Sequence, residues 1–284
     1  MTVTYNDIED AQKCQSEVIR KTSLTFSETF SDMTGSKVYL KNEFEQKTGS
    51  FKIRGAYYKI KSLSDDEKKH GVVAASAGNH SQGVAFASSL ENIPCTIVMP
   101  KNASPAKISA TRGYGANVIL EGLTYDESWA YAQKISQETG AIIIHAFDDP
   151  HIISGQGVIG LEILEQLPDV DEIYVPIGGG GLAAGIITAV KEKKPDVKII
   201  GVESSVFPAM KNSIESGKLQ TIQGGTTIAD GISVKTPGKL TFDIIKDGID
   251  EIVTVNDADI IKTCLLYTSP SPRDATLSRM PSSA

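Results

Sequence analysis

The feature that most constrains the fold is an alternation, from residue 71 to residue 202, of short apolar runs with amphipathic segments of helical period. Continuously apolar strands that alternate with helices are typical of parallel sheets covered by helices on both faces, because both faces of each strand are then buried. The predicted strands are residues 37–42, 71–76, 95–99, 117–120, 141–145, 172–177, 197–202 and 251–255. The first predicted helix starts at a cap near Thr48 or Ser50 and runs to about residue 63, and the others are residues 79–90, 105–112, 125–138, 153–167, 182–193 and 240–246. The chain is therefore predicted to be an α/β protein.

The strand–helix units are too many to pack into one compact lobe. The pattern therefore predicts two lobes, each an open, largely parallel sheet covered by helices. Pro150 and the preceding pair Asp148 and Asp149 mark the expected crossing between them. We assign residues 1–70 and 149–263 to a discontinuous large domain and residues 71–148 to a small domain. One apolar face is expected in the N-terminal region, formed by Ile8, Ala11, Cys14, Val18 and Ile19.

Composition narrows the class of protein. No run of 18 apolar residues is present, so no membrane span is expected. The N-terminus lacks the pattern of a secretory signal, and Cys14, Cys95 and Cys264 are too far apart for a metal site or a disulfide framework. These features predict a reduced, cytoplasmic protein. A net charge of −7 without a basic run argues against nucleic acid as a partner.

The last 21 residues, 264–284, change abruptly to a segment rich in Ser, Pro and Arg. Their order resembles translated sequencing adapter, and the alternative is a natural disordered tail. We interpret the segment as non-native and leave it out of the fold prediction. The fold is accordingly expected to be truncated at its C-terminus, and the chain as written is expected to be poorly soluble or impaired in its function.

One lysine lies near the start of a predicted helix, a position that would make its amine more nucleophilic. Thr48 and Ser50 are good N-cap residue types, and Gly49 permits a sharp entry into the first turn. Lys52 would lie about one turn inside the helix, where the dipole and partial burial both lower the pKa of an ammonium group and favour the nucleophilic amine. The alternative is an ordinary solvated lysine.

Four consecutive glycines follow the predicted strand at residues 172–177 and precede a helix that begins at Leu182. Glycines let the backbone wrap closely around an anion, and a helix N-terminus supplies free N–H groups, so the stretch predicts a phosphate site. The glycines are Gly178, Gly179, Gly180 and Gly181.

The same loop also fits a dinucleotide-binding fingerprint, through Gly178, Gly180 and Ala183. Glu203, at the end of the next strand, stands where a ribose-binding acid would lie. On these residues alone, a nicotinamide-dependent oxidoreductase would be the leading hypothesis.

A second anion-binding turn is predicted between the strand at residues 71–76 and the next helix. Its residues are Ser76, Ala77, Gly78, Asn79 and His80. His80 could equally be a packing or surface histidine, and no other histidine has metal-ligand spacing to it, so no metal is expected. A lysine, a phosphate loop and a carboxylate-sized anion turn together describe a site for pyridoxal 5′-phosphate (PLP) and an amino acid.

The motifs resemble those of the threonine/serine dehydratase and serine racemase family, which has the tryptophan synthase β-like fold. The resemblance covers residues 5–263 with the motifs in family order. It rests on the stretches at residues 50–56, 76–83, 155–157 and 178–181.

The resemblance implies roles for individual residues. Lys52 would hold PLP as a Schiff base, with Phe51 beside the ring, and Asn79 would bond the 3′-oxygen. The backbone N–H groups of residues 178–182 would bind the phosphate, and the backbone of residues 76–80 would bind the substrate carboxylate. The implied activity is dehydration and deamination of L-threonine or L-serine to 2-oxobutanoate or pyruvate and ammonia. A homo-oligomer is implied as well.

Departures from the family pattern refine this expectation. Ala77 occupies the position where racemases place a serine, so racemisation is not expected. Phe207 and Ala209 stand where a downstream acidic metal ligand would follow Glu203, which again argues against a metal. Ile53 replaces the aspartate that is usual after the lysine in the cysteine-synthase branch, which argues against β-replacement chemistry. An inactive, truncated family member remains an alternative.

Overall fold

The computed structural model describes residues 2–268 of the 284-residue chain. Its strands are β1 (Leu24–Phe26), β2 (Tyr39–Lys41), β3 (Val72–Ala75), β4 (Cys95–Met99), β5 (Asn117–Leu120), β6 (Ile142–Ile143), β7 (Glu172–Pro176), β8 (Lys198–Ser204) and β9 (Glu251–Val255). Its α-helices are α1 (Tyr5–Gln15), α2 (Glu28–Thr34), α3 (Lys52–Lys61), α4 (Asp65–His70), α5 (Asn79–Leu90), α6 (Pro105–Gly113), α7 (Tyr125–Thr139), α8 (Pro150–Gln166), α9 (Gly181–Lys193), α10 (Ala209–Ser216), α11 (Lys239–Gly248) and α12 (Asp257–Thr268).

Within the described residues the strands form three sheets. The first parallel sheet has the order β5-β4-β3-β6, with Val72 opposite Cys95, and the second has the order β7-β8-β9. β1 and β2 form a separate antiparallel pair. All four residues of β3 are buried, as expected for a strand with helices on both faces. The predicted α/β class with parallel sheets is confirmed.

Most predicted elements are present with small shifts at their ends. β4, β5, β9 and α5 have the predicted bounds, whereas β6 is limited to two residues. The predictions omitted β1, α2, α4, α10 and α12. α4 lies where a polar break was predicted, and Ser64 and Glu67 form a capping box at its start. The assignment of residues to two lobes stays a prediction, although the four-stranded sheet lies wholly within residues 71–148.

The predicted cap of α3 is wrong. The N-cap residue is Phe51, and Lys52 is the first residue of the helix rather than one turn inside it. The hydroxyls of Thr48 and Ser50 are buried without a hydrogen-bond partner, so neither caps the helix. Gly49 does provide the expected sharp turn, with a φ of 72°.

Helix α3 packs closely against α8, which fixes the position of Lys52. A Cβ on Gly55 would lie 2.7 Å from the carbonyl oxygen of Ile152, and one on Gly155 would lie 2.6 Å from the Cα of Gly55. The Gln15 side chain donates to the carbonyls of Arg54 and Gly155, at 2.9 and 3.1 Å. These contacts give residues 155–157 a packing role.

Helix α12 continues past Cys264, where the adapter-like tail was predicted to begin, and the rest of that tail lies outside the described residues. None of the helices described in residues 2–268 is long and apolar enough to span a membrane.

Candidate active site

Lys52 lies at the centre of the candidate site. Its amine donates a 2.9 Å hydrogen bond to the carbonyl oxygen of Ala146 and lies 5.2 Å from the centroid of the Phe51 ring. Burial lowers the pKa of Lys52 to about 8, in the direction expected from the sequence. A much larger share of this amine is therefore neutral, and nucleophilic, near pH 7 than of a solvated lysine amine.

We expect this pKa to govern how fast PLP couples to the protein. The neutral amine is the reacting form, so the second-order rate of coupling should rise with pH and level off above about 8 rather than above 10.5. Stopped-flow visible absorbance after mixing with PLP, at several pH values, measures the profile. A rate that keeps rising to pH 10 would contradict a desolvated amine.

The turn at residues 76–80 enters α5, whose first turn approaches Lys52. In the second turn of α5, a Cβ on Gly83 would lie 3.1 Å from the carbonyl carbon of Lys52, so a larger residue there would require the two helices to shift apart. α5 begins after Gly78 without a side-chain cap, which leaves its first N–H groups open to an anion. Asn79 is exposed, and its side chain makes no hydrogen bond within the described residues.

His80 is buried, and its Nε2 donates to the carbonyl oxygen of Ile144 at 2.9 Å. Burial, with a smaller contribution from the nearby Lys52 charge, lowers the pKa of His80 to about 3. The imidazole is therefore neutral at pH 7, and it links α5 to the chain segment that follows β6.

The glycine loop, residues 178–182, connects β7 to α9. Gly180 has a φ of +98°, which favours glycine, and a Cβ on Gly179 would overlap the ring of Phe147. A Cβ on Gly181 would lie 3.0 Å from the same residue. The loop therefore needs glycine for its conformation and its packing, and it ends at the N-terminus of α9, where N–H groups are free for an anion.

Residues 144–149, which we call the connecting segment, touch all three predicted stretches. Ile144 accepts from His80, Ala146 accepts from Lys52 and Phe147 covers the glycine loop. The segment is held in a turn by His145, whose Nδ1 accepts the N–H groups of Phe147 and of the next residue at 3.3 and 2.8 Å. Burial lowers the pKa of His145, which keeps Nδ1 unprotonated and able to accept.

The sequence prediction missed this segment as part of the site, although it did mark Asp148 and Asp149 as a crossing point. Two of its contacts with the site use backbone carbonyls, which leave no trace in residue type. The aromatic Phe147, in a run that holds His145 before it and Asp148 after it, was the available signal.

Glu203 does not occupy the place of a ribose-binding acid. Its carboxylate is fully buried and accepts the N–H groups of Met210 and Lys211, both at 2.9 Å, so it caps the start of α10. Burial raises the pKa of Glu203 to about 7. Among residues 2–268 no cluster of His, Cys, Asp and Glu has the arrangement of a metal site, and the prediction that no metal binds stays a prediction.

These features define a site for a phosphorylated carbonyl compound: a desolvated lysine amine with a glycine-rich phosphate loop nearby. The sequence profile of the family described as "Pyridoxal-phosphate dependent enzyme" matches residues 15–269. The chain belongs to this family, and the resemblance inferred from its motifs is confirmed.

Individual relatives are similar over nearly the whole chain. An L-threonine ammonia-lyase of Thermotoga maritima is 51% identical over 93% of the chain, which spans 66% of that relative, and one of Geobacter sulfurreducens is 47% identical over 90%, with 64% spanned. The chain thus spans slightly less than two thirds of the length of these relatives. The catabolic L-threonine dehydratase of Escherichia coli K12 is 44% identical over 92% of the chain and 79% of its own length.

Solved structures support the same fold. Maize serine racemase has a TM-score of 0.91 at 35% identity, covering 94% of this chain and 82% of that one. Processed threonine deaminase isoform 2 from Solanum lycopersicum has a TM-score of 0.89 at 37% identity, covering 94% and 77%.

The residues present fit PLP. The glycine loop has no room for a Cβ at Gly179, ends at a helix N-terminus and so suits the phosphate, and Lys52 has an amine of lowered pKa for the aldehyde. Phe51 and the connecting segment line the space around that amine.

Proposed function

We propose that the chain carries out PLP-dependent dehydration and deamination of L-threonine to 2-oxobutanoate and ammonia, with L-serine as a second substrate giving pyruvate. The observation that carries the proposal is the Lys52 amine, desolvated and held at Ala146 beside an uncapped helix start. The printed names of the 51% and 47% identical relatives support threonine. The Glu203 carboxylate already accepts two N–H groups at the start of α10, so it is not free to bind a ribose, and this disfavours the nicotinamide alternative.

The proposed chemistry divides between cofactor and protein. PLP supplies an electron sink that acidifies the Cα–H bond of a bound amino acid. The N–H groups at the start of α5 bind the substrate carboxylate, and those of residues 178–182 hold the phosphate. The neutral amine of Lys52 takes the Cα proton, and His80 is a much weaker base because burial lowers its pKa to about 3.

The test compares product classes. We expect the PLP-loaded chain to form 2-oxobutanoate and ammonia in equal amounts from L-threonine, measured by a coupled dehydrogenase assay and an ammonia assay. L-serine is the second substrate, and O-acetyl-L-serine with sulfide represents β-replacement. Turnover of the last pair in preference to both hydroxy amino acids would reject the proposal.

We predict that dehydration proceeds without appreciable racemisation. A proton must be delivered to the opposite face of Cα to invert it, and Ala77, which is half-buried in the anion turn, has no group that can donate one. Chiral chromatography of unreacted L-serine after half-conversion measures the outcome. Accumulation of D-serine at a rate comparable with pyruvate would contradict the prediction, and Ala77→Ser is the variant in which some D-serine is expected.

The coarser features of the proposal concern the whole molecule. We propose a cytoplasmic location, on the three widely separated cysteines, and a homo-oligomer of two or four chains, on family resemblance. Size-exclusion chromatography with light scattering tests the oligomer.

A further inference from the structure

The carbonyl of Gly179 is held from outside the glycine loop. The Thr241 hydroxyl, on the first turn of α11, donates to this oxygen at 2.6 Å, and the N–H of Gly238 donates to it at 3.2 Å. Thr241 is fully buried. In a trans peptide the C=O of one residue and the N–H of the next point in opposite directions within one plane. Fixing the oxygen of Gly179 therefore fixes the direction of the N–H of Gly180, inside the predicted phosphate loop.

The start of α11 is itself fastened to the connecting segment. The carboxylate of Asp148 accepts the backbone N–H groups of Lys239, Leu240 and Thr241 at 3.0, 2.9 and 3.2 Å. Asp148 directly follows Phe147, which covers the same loop. A carboxylate at the first turn also complements the positive end of the helix dipole. Asp148 thus fixes the position of Thr241, and its neighbour Phe147 contacts the same glycine loop.

We propose that Thr241 is a positioning residue for the cofactor phosphate and that Asp148 supports it by anchoring α11. Neither side chain is needed to touch the ligand. Thr241 keeps the Gly179–Gly180 peptide in the orientation that aims the Gly180 N–H at the phosphate, and Asp148 keeps Thr241 at hydrogen-bonding distance. The inference rests on the proposed use of PLP, and it predicts an effect on the phosphate group only.

The experiment separates the phosphate from the rest of the cofactor. Thr241→Val removes the hydroxyl and keeps the shape, Thr241→Ser restores the hydroxyl, and Thr188→Val is the matched control. Thr188 donates a similar 2.9 Å bond to the Ala184 carbonyl on α9, away from the loop. PLP and pyridoxal, which lacks the phosphate, are titrated against each variant, with visible absorbance and the fluorescence of Trp129, the single tryptophan, as readouts. Thermal unfolding of each variant is recorded without cofactor.

We expect Thr241→Val to weaken PLP binding about tenfold, the effect of one well-placed hydrogen bond, and to leave pyridoxal binding unchanged. Thr241→Ser and Thr188→Val should bind both compounds like the unmodified chain. If Thr241→Val does not fold, Asp148→Ala, which removes all three acceptor contacts to the start of α11, should show the same phosphate-specific loss. A merely structural role would weaken both compounds together or lower only the melting temperature.

Two negative outcomes are distinguishable. An unmodified chain that binds PLP no better than pyridoxal would reject the phosphate site and with it the proposed function. An unmodified chain that prefers PLP, with a preference unchanged in Thr241→Val and Asp148→Ala, would overturn only the positioning inference.

Discussion

Replacing Lys52 by alanine is expected to abolish turnover of L-threonine and to remove the visible absorbance that PLP gives with the unmodified chain. Lys52 is the residue whose amine is desolvated and lies at Ala146 within the candidate site. Proton transfer by a positioned group alone contributes ~10²–10⁴-fold to a rate, so a loss of roughly 10³-fold or more is expected. Formation of 2-oxobutanoate and the absorbance spectrum with added PLP measure the two effects.

The matched control is Lys61→Ala, which removes a lysine from the other end of the same helix. Lys61 is exposed and pairs with Glu91 at 3.0 Å, so its loss should change neither the spectrum nor the rate. Added methylamine should restore a small part of the activity of Lys52→Ala, because it supplies a neutral amine to the vacated space. Turnover by Lys52→Ala above a trace without added amine would remove Lys52 from the proposed role.

The sequence predicts the sheet-forming part of the fold well because burial on both faces leaves a strong signal. β4 is such a strand, with four of its five residues buried. β5 and β9 are less buried, and their ends match the prediction because polar or turn residues bound their apolar residues. β1 and α2 escape prediction because they are short and largely exposed, so their residues show no apolar period. Local propensity is a weak guide where tertiary contacts do not impose a pattern.

The parts of the candidate site likewise differ in how well the sequence predicts them. Lys52, the glycine loop and the turn at residues 76–80 carry residue types whose backbone or chemical properties are unusual, and the sequence identifies them. The N-cap of α3 was wrong because Thr48 and Ser50 have the right side chains but the chain enters the helix through Phe51. The connecting segment acts through the carbonyls of Ile144 and Ala146, which every residue type possesses.

The largest effect on stability is expected where α3 is fastened to α8 by buried charges. Arg54 is fully buried two residues after Lys52, and its guanidinium donates to Glu162 at 2.7 and 2.9 Å and to Glu43 at 2.7 and 2.8 Å. Lys41 adds a second cation, 2.6 Å from the Glu162 carboxylate. Two cations thus share two carboxylates in a region with little solvent. Removing one of these charges would leave another buried and unpaired, which lowers the stability of the fold.

We predict that Glu162→Gln lowers the free energy of unfolding by about 3 kcal/mol, because it leaves the buried Arg54 and Lys41 with one carboxylate between them. The corresponding fall in melting temperature is roughly 6–12 °C. Glu165→Gln makes the same chemical change three residues further along α8, where Glu165 pairs with the exposed Lys21 at 2.5 Å. That variant should change the free energy by less than ~1 kcal/mol, since solvent screens an exposed pair.

Chemical denaturation of both variants, followed by circular dichroism, compares the two sites directly. Equal stabilities for Glu162→Gln and Glu165→Gln would show that water or a rearranged side chain compensates the lost charge, and that the buried set does not fasten α3. If the prediction holds, the change should also reach the site, because Arg54 fixes the first turn of the helix that begins with Lys52. Coupling of PLP to Glu162→Gln, measured below its melting temperature, should then be slower than to Glu165→Gln.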